Sequence, residues 1–194
     1  MRPVRRGAAP QPNDFAPYRD AQRYLVSRLG LYCSYCERWI ATQLAVEHIQ
    51  PKDGPHGHPY LIGRWENFLL ACVNCNSTKG DKNVVLANVL LLDRDNTFAA
   101  FSYLPDGTVQ PAATLATALM GKASDTLALT GLDKKISVAL DENGKQVALD
   151  RVSQRMEVWA IAVDAKSSVD TNPGNVAVKC SVITMAQRSG FFSI

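Results

Sequence analysis

Four of the chain's five cysteines fall in two tight pairs, Cys33-Ser34-Tyr35-Cys36 and Cys72-Val73-Asn74-Cys75. A two-residue spacer lets both thiolates of a pair turn toward one ion, and two such pairs complete a tetrahedral sulfur set that suits zinc. Disulfides are the competing use of cysteine. Five is an odd number, however, and the opening Met1-Arg2-Pro3-Val4-Arg5-Arg6-Gly7 has no apolar stretch behind it of the kind a secretory leader carries. Four thiolates leave no open coordination position, so the expected zinc holds the fold and does no chemistry. Cys180 lies far from both pairs in an apolar stretch and is expected as a small buried hydrophobe.

The chain has 194 residues, 46% hydrophobic and 20% charged, which is enough apolar material to bury a core of ordinary size around such a site. No run of about 18 apolar residues is present, so a membrane-spanning helix is excluded and a cytoplasmic location is expected. The net charge of +3 is uneven: residues 1–82 carry +4 and residues 83–194 carry −1. The positive excess that favours a phosphate-bearing partner thus sits in the part that holds the cysteine pairs.

Between Cys36 and Cys72 lie 35 residues, where simple four-cysteine ribbons have roughly 15–20. The insert contains all three histidines, His48, His56 and His58. It reads as a strand ending in Ala45-Val46-Glu47-His48, a loop rich in Gly, Pro and His, and a second strand at Phe68-Leu69-Leu70-Ala71. A helix then starts at the second cysteine pair. Glu47 and His48 are neighbours on extended chain, so their side chains leave opposite sides of the strand and can serve one site only from its edges. Asn76 begins the following helix, where its amide oxygen could join the Glu47 carboxylate. That pair is a hard, oxygen-rich, incomplete ligand set suited to Mg²⁺ or Mn²⁺.

Glu47-His48-Ile49-x-Pro51, then Trp65-Glu66-Asn67, then Cys72-x-x-Cys75-Asn76-x-x-Lys79-Gly80-Asp81, in this order and spacing, resembles the HNH endonuclease family. The likeness covers about residues 30–82 and points to the branch whose ββα-metal hairpin is braced by four cysteines around zinc. The resemblance implies that His48 is the general base for the attacking water. It implies that Glu47 and Asn76 bind one catalytic Mg²⁺ or Mn²⁺, that Asn67 braces the loop around the histidine, and that Lys79 reaches a phosphate. Glu47 stands where many members carry Asp, which lengthens that ligand by one methylene. The implied chemistry is phosphodiester hydrolysis leaving 5′-phosphate and 3′-hydroxyl ends, most often in DNA.

Taken one by one these residues have plainer uses: Asn76 as a helix cap, Asn67 as a turn residue, Glu47 as a surface carboxylate. Lys52, Arg64 and Lys82 are candidate phosphate contacts, equally at home as solvated surface charge, and His56 and His58 are expected to be idle loop residues. The expected fold is α+β, an HNH core at 30–82 between an N-terminal arm and helix at 1–29 and a mostly helical region at 83–194. The arm is expected to be extended before a helix over 14–29. Its stripe of Phe15, Tyr18, Ala21, Leu25 and Leu29 leaves Arg19, Arg23 and Arg28 largely to one side, as a solvated face or part of a nucleic-acid track. A hairpin is expected from Phe98–Tyr103 to Thr108–Val109, and helices near 112–129, 146–166 and 174–188. The whole arrangement is similar to HNH subunits of bacterial anti-phage systems, retron-associated and Septu-type. That likeness implies a defence role, a controlling ATPase as partner, and a docking or substrate-shaping tail. A zinc-ribbon module or adaptor that holds nucleic acid without cutting it is the alternative.

Overall fold

The computed structural model describes residues 4–134, 139–140, 142, 146–147 and 151–187. Pro17 is held in an extended conformation, so the expected N-terminal helix starts late: a 3-10 turn at Tyr18–Ala21 leads into helix α1, Gln22–Leu29. The apolar stripe survives the shift. Phe15, Ala21, Leu25 and Leu29 are buried and Tyr18 is half-buried. Gly30 stops the helix at φ 74°, a conformation that favours glycine. Arg28 is not idle at the surface: its guanidinium donates to the carbonyls of Arg6 and Ala8 at 2.6 Å each and lies over the Trp65 ring.

Strand β1, Ala45–His48, pairs antiparallel with β2, Phe68–Ala71, in a register that sets Glu47 opposite Leu69 and His48 opposite Phe68. All four β2 residues are buried: α1 packs against the strand, and Ser34 of the first cysteine pair exchanges hydrogen bonds with Leu70, while helix α2, Val73–Lys79, is tied to β1 by the Lys79–Glu47 ion pair. This explains why β2 reads as an uninterrupted apolar run and not as an alternating strand. Burying each such Leu or Phe contributes about 1.5–3 kcal/mol. Strand, strand and helix form the expected ββα unit.

Downstream, Val89, Leu90, Leu91 and Leu92 add to the same core. The expected strand over 98–103 is half helical instead. The Asn96 side chain accepts from the Ala99 backbone N–H and winds one turn, α3, Thr97–Ala100, before strand β3, Phe101–Tyr103, pairs with β4, Val109–Pro111. Helix α4 is Thr117–Thr130. A second short ladder joins β5, Ala139–Leu140, to β6, Gln146–Val147, so the helix expected from 146 begins only as α5, Arg151–Thr171. Helix α6 is Val176–Gln187; position 188, the expected end, lies outside the described residues. Cys180 on α6 is exposed, contrary to expectation, since α6 packs against α5 and Val176, Ile183 and Met185 on it are exposed as well. Among the described residues no helix is long and apolar enough to cross a membrane.

Arg6 ties the N-terminal arm to the β1–β2 hairpin. Its Nη1 donates to the carbonyls of Glu66 (2.8 Å) and Phe68 (2.7 Å), and Nη2 sits 3.1 Å from the buried Asp93 carboxylate. Replacing it takes the shortest charge partner from the buried Asp93 carboxylate, which keeps only Arg94 at 3.4 Å, and removes a buried donor from the Phe68 carbonyl. Arg6→Ala is therefore expected to lower the unfolding free energy on the order of 3 kcal/mol, measurable by urea denaturation.

Candidate active site

The four Sγ atoms of Cys33, Cys36, Cys72 and Cys75 lie within 4.8 Å of one another and all four residues are buried. Cys36 Sγ and Cys72 Sγ are 3.8 Å apart. A tetrahedron built on Zn–S bonds of roughly 2.3 Å has edges of about 3.8 Å, so the sulfurs stand at the spacing zinc needs. The knuckles arise locally. Glu37 N–H donates to the Cys33 carbonyl in a turn with Glu37 at φ 59°, and Cys72 caps α2 by accepting from Cys75 N–H at 3.4 Å. Sulfur–sulfur contacts, those with Cys33 foremost, push the Cys36 and Cys75 thiols up and Cys72 down. Only a cation lets four such groups ionise together.

Beside this cluster is a cleft of about 430 Å³. Its lining includes Glu47 and His48 from β1, Asn76 and Lys79 from α2, and Tyr18 from the turn before α1. Glu47 is buried, with Oε1 2.8 Å from Lys79 Nζ and at the long distance of 3.5 Å from the Tyr35 hydroxyl, which donates to it. Burial pushes its carboxyl up from the ordinary range, while the Lys79 charge opposes that rise. The carboxylate thus already holds one cation, an ammonium, and half-buried Asn76 brings an amide side chain to the same cleft. Hard oxygen donors of this kind fit Mg²⁺ or Mn²⁺.

His48 sits edge-on between rings, 4.7 Å from Tyr18 and 5.2 Å from Phe68 centroid to centroid. Its Nε2 is 3.0 Å from the Ile62 carbonyl oxygen. A carbonyl only accepts, so Nε2 carries the hydrogen and Nδ1 is the bare nitrogen. Burial holds the imidazole below the ordinary histidine range, and the positive charges of Lys52 and Lys79 act in the same direction, against the Ile62 hydrogen bond. The ring is kept in the neutral form that can accept a proton.

Asn67 pins the chain just past the histidine. Its Oδ1 accepts from Gln50 N–H (2.8 Å), its Nδ2 donates to the Gln50 carbonyl (2.9 Å), and its own carbonyl accepts from Ile49 N–H (2.8 Å).

The structure brings Glu47, His48, Asn76 and Lys79 to one cleft with Lys52 on its rim beside Asp53. Lys79 is buried at the cleft, its ammonium pairing with Glu47 and donating to the Gly80 carbonyl at 3.2 Å, because a buried carboxylate demands a partner. Arg64 and Lys82 are not among the cleft-lining residues: Arg64 pairs with Asp14 at 3.3 Å and exposed Lys82 donates to the Leu129 carbonyl at 3.3 Å. His56 is exposed, and His58 contacts the Tyr60 hydroxyl outside the cleft. Sequence reasoning missed Tyr18 as a wall of the histidine, Tyr35 as a partner of Glu47 and Ile62 as the carbonyl that sets the tautomer. Tyr18 had been placed only on the core stripe, Tyr35 hides in a knuckle spacer, and a backbone carbonyl carries no sequence signal.

Comparison with known proteins agrees with this geometry. The sequence profile of the HNH endonuclease family matches residues 33–82. A protein of Vibrio cholerae serotype O1 biovar El Tor, named as an HNH endonuclease of retron Vc95, is 31% identical over 88 residues, covering 42% of each chain. The match thus spans less than half the length of that relative. Zinc-type knuckles, a ββα hairpin and the family match all fall on one stretch of sequence, and it is over residues 33–82 that the chain is similar to the HNH endonuclease family.

Proposed function

We propose that this cleft hydrolyses phosphodiester bonds in nucleic acid, most readily DNA. The observation that carries the reading is a buried, neutral imidazole with one bare nitrogen, sharing a cleft with a carboxylate and an amide side chain. His48 Nδ1 takes the proton of the attacking water, while Nε2–H stays on Ile62 and fixes the ring. Glu47 and Asn76 hold the divalent ion, which when bound offsets charge on the scissile phosphate and its departing oxygen. Lys79 supplies further positive charge at the floor of the cleft, and Asn67 keeps the loop after His48 from drifting. In-line attack of water leaves 5′-phosphate and 3′-hydroxyl ends.

The test is incubation of the purified chain with plasmid DNA, single-stranded DNA and RNA in Mg²⁺, Mn²⁺ or chelator. Cutting of at least one substrate that needs the added ion is expected. Failure on all three, with tight binding retained, would instead favour the non-cutting zinc-ribbon module. Asn67→Ala, which removes two hydrogen bonds to Gln50, is expected to slow cutting on the order of 10-fold to 100-fold, a loss of positioning. It is also expected to cost about 1–3 kcal/mol in stability.

The name of the retron relative supports a place in anti-phage defence, and the resemblance to such subunits supports a controlling ATPase as partner. The exposed apolar residues Ile161 and Val163 on α5 and Val176, Ile183 and Met185 on α6 support the downstream region as the docking part. Co-purification with an ATPase encoded beside this gene is the measurement for that role.

A further inference from the structure

Arg151 is the first residue of α5, well outside the segment matched by the family, and it is buried. Its Nη1 donates to Cys75 Sγ at 2.8 Å and to the Thr130 carbonyl at 3.1 Å, and its Nη2 donates to the Gly131 carbonyl at 3.0 Å. The two carbonyls close the C-terminal end of α4, whose partial negative charge favours a cation. One turn along α5, the Gln154 side-chain oxygen accepts from Arg38 Nη1 at 2.8 Å, two residues past Cys36. The first turn of α5 therefore touches the flank of both knuckles.

Zinc held by four thiolates carries a net charge of −2, and this cluster is buried. A buried anionic centre is costly without a compensating cation. We infer that Arg151 is a positioning residue of the zinc centre: a charged N–H···S donor, supplied by the C-terminal region, that sets the basicity and orientation of the Cys75 sulfur. Partners of this kind tune how tightly a metal is held. Cys75 also precedes Asn76, the proposed ligand of the catalytic ion, so whatever seats Cys75 also seats the start of that ligand's turn. A residue that merely closes the end of α4 would use the same two carbonyls and would leave the metal centre unaffected.

The inference rests on the zinc reading, and the test separates the two. Parent, Arg151→Lys and Arg151→Met proteins are compared for zinc content, for zinc affinity in competition with a chelator, and for the optical spectrum after cobalt substitution. Losing an N–H···S bond raises the energy of the sulfur lone pairs, so Arg151→Met is expected to move the thiolate-to-cobalt charge-transfer bands to lower energy. Its zinc affinity is expected to fall on the order of 10-fold to 100-fold, with Arg151→Lys between the two. Parent bands and parent affinity in a folded Arg151→Met would overturn the inference and leave the zinc reading intact. A zinc-free, folded parent overturns both. Should Arg151→Met not fold, the unaltered chain decides: loaded with an NMR-active cadmium isotope, it is expected to show coupling between the metal and an Arg151 guanidinium proton, and absence of that coupling refutes the contact.

Discussion

Cys72→Ser is expected to leave residues 33–82 without a stable fold at room temperature. Whole domains are stable by about 5–15 kcal/mol, whereas a structural four-ligand zinc site contributes an apparent 10–16 kcal/mol. Losing one ligand removes much of that. Cys72 is used twice, because its sulfur is a member of the cluster and also accepts the Cys75 N–H that starts α2. The hairpin offers little in compensation, as strands of four residues do not hold together alone. Circular dichroism melting and zinc content per chain report the outcome: loss of the cooperative transition together with loss of zinc. Retention of both would mean that the Cys72 thiolate is not needed to hold either the metal or the fold.

His48→Ala is expected to slow cutting by about 10² to 10⁴-fold, the range for removing a positioned general base. Binding of nucleic acid should change little, because the charged residues of the cleft remain. The ring also packs against Tyr18 and Phe68, so a modest stability loss of about 1–3 kcal/mol is expected as well. Initial rates are therefore compared at a temperature where both proteins are fully folded and equally loaded with zinc. A variant that is folded and zinc-loaded yet cuts at the parent rate would remove His48 from the chemistry.

Much of this was legible because chemistry leaves a dense mark on sequence. Thiol pairs at fixed spacing dictate a knuckle wherever they occur, and their positions mark the ends of the insert. Glu47 and His48 adjoin at a strand end and Asn76 follows the second pair, and these three line one cleft, while Asn67 holds the chain beside it. Local competition was harder to read. A proline delayed α1, and an asparagine cap turned part of an apolar run into helix at 97–100. The apolar neighbours of Cys180 suggest burial, yet α6 packs against α5 and leaves Cys180 exposed. Contacts across long sequence separation were invisible for a different reason. Nothing near Lys79 announces that its ammonium will lie on Glu47, and nothing near Arg151 announces a thiolate 76 residues away. Such pairings depend on which buried charges the completed fold must offset.

The proposed function requires two metal sites of opposite character in this small unit: a closed sulfur site that only holds shape and an open oxygen site that supports cutting. The most direct measurement dialyses magnesium away from the zinc-loaded protein and follows cutting, zinc content and melting temperature together. Cutting is predicted to vanish while zinc and melting temperature stay put, and to return when magnesium is restored. Cutting that persists without magnesium, or that declines only as zinc leaves, would contradict the account.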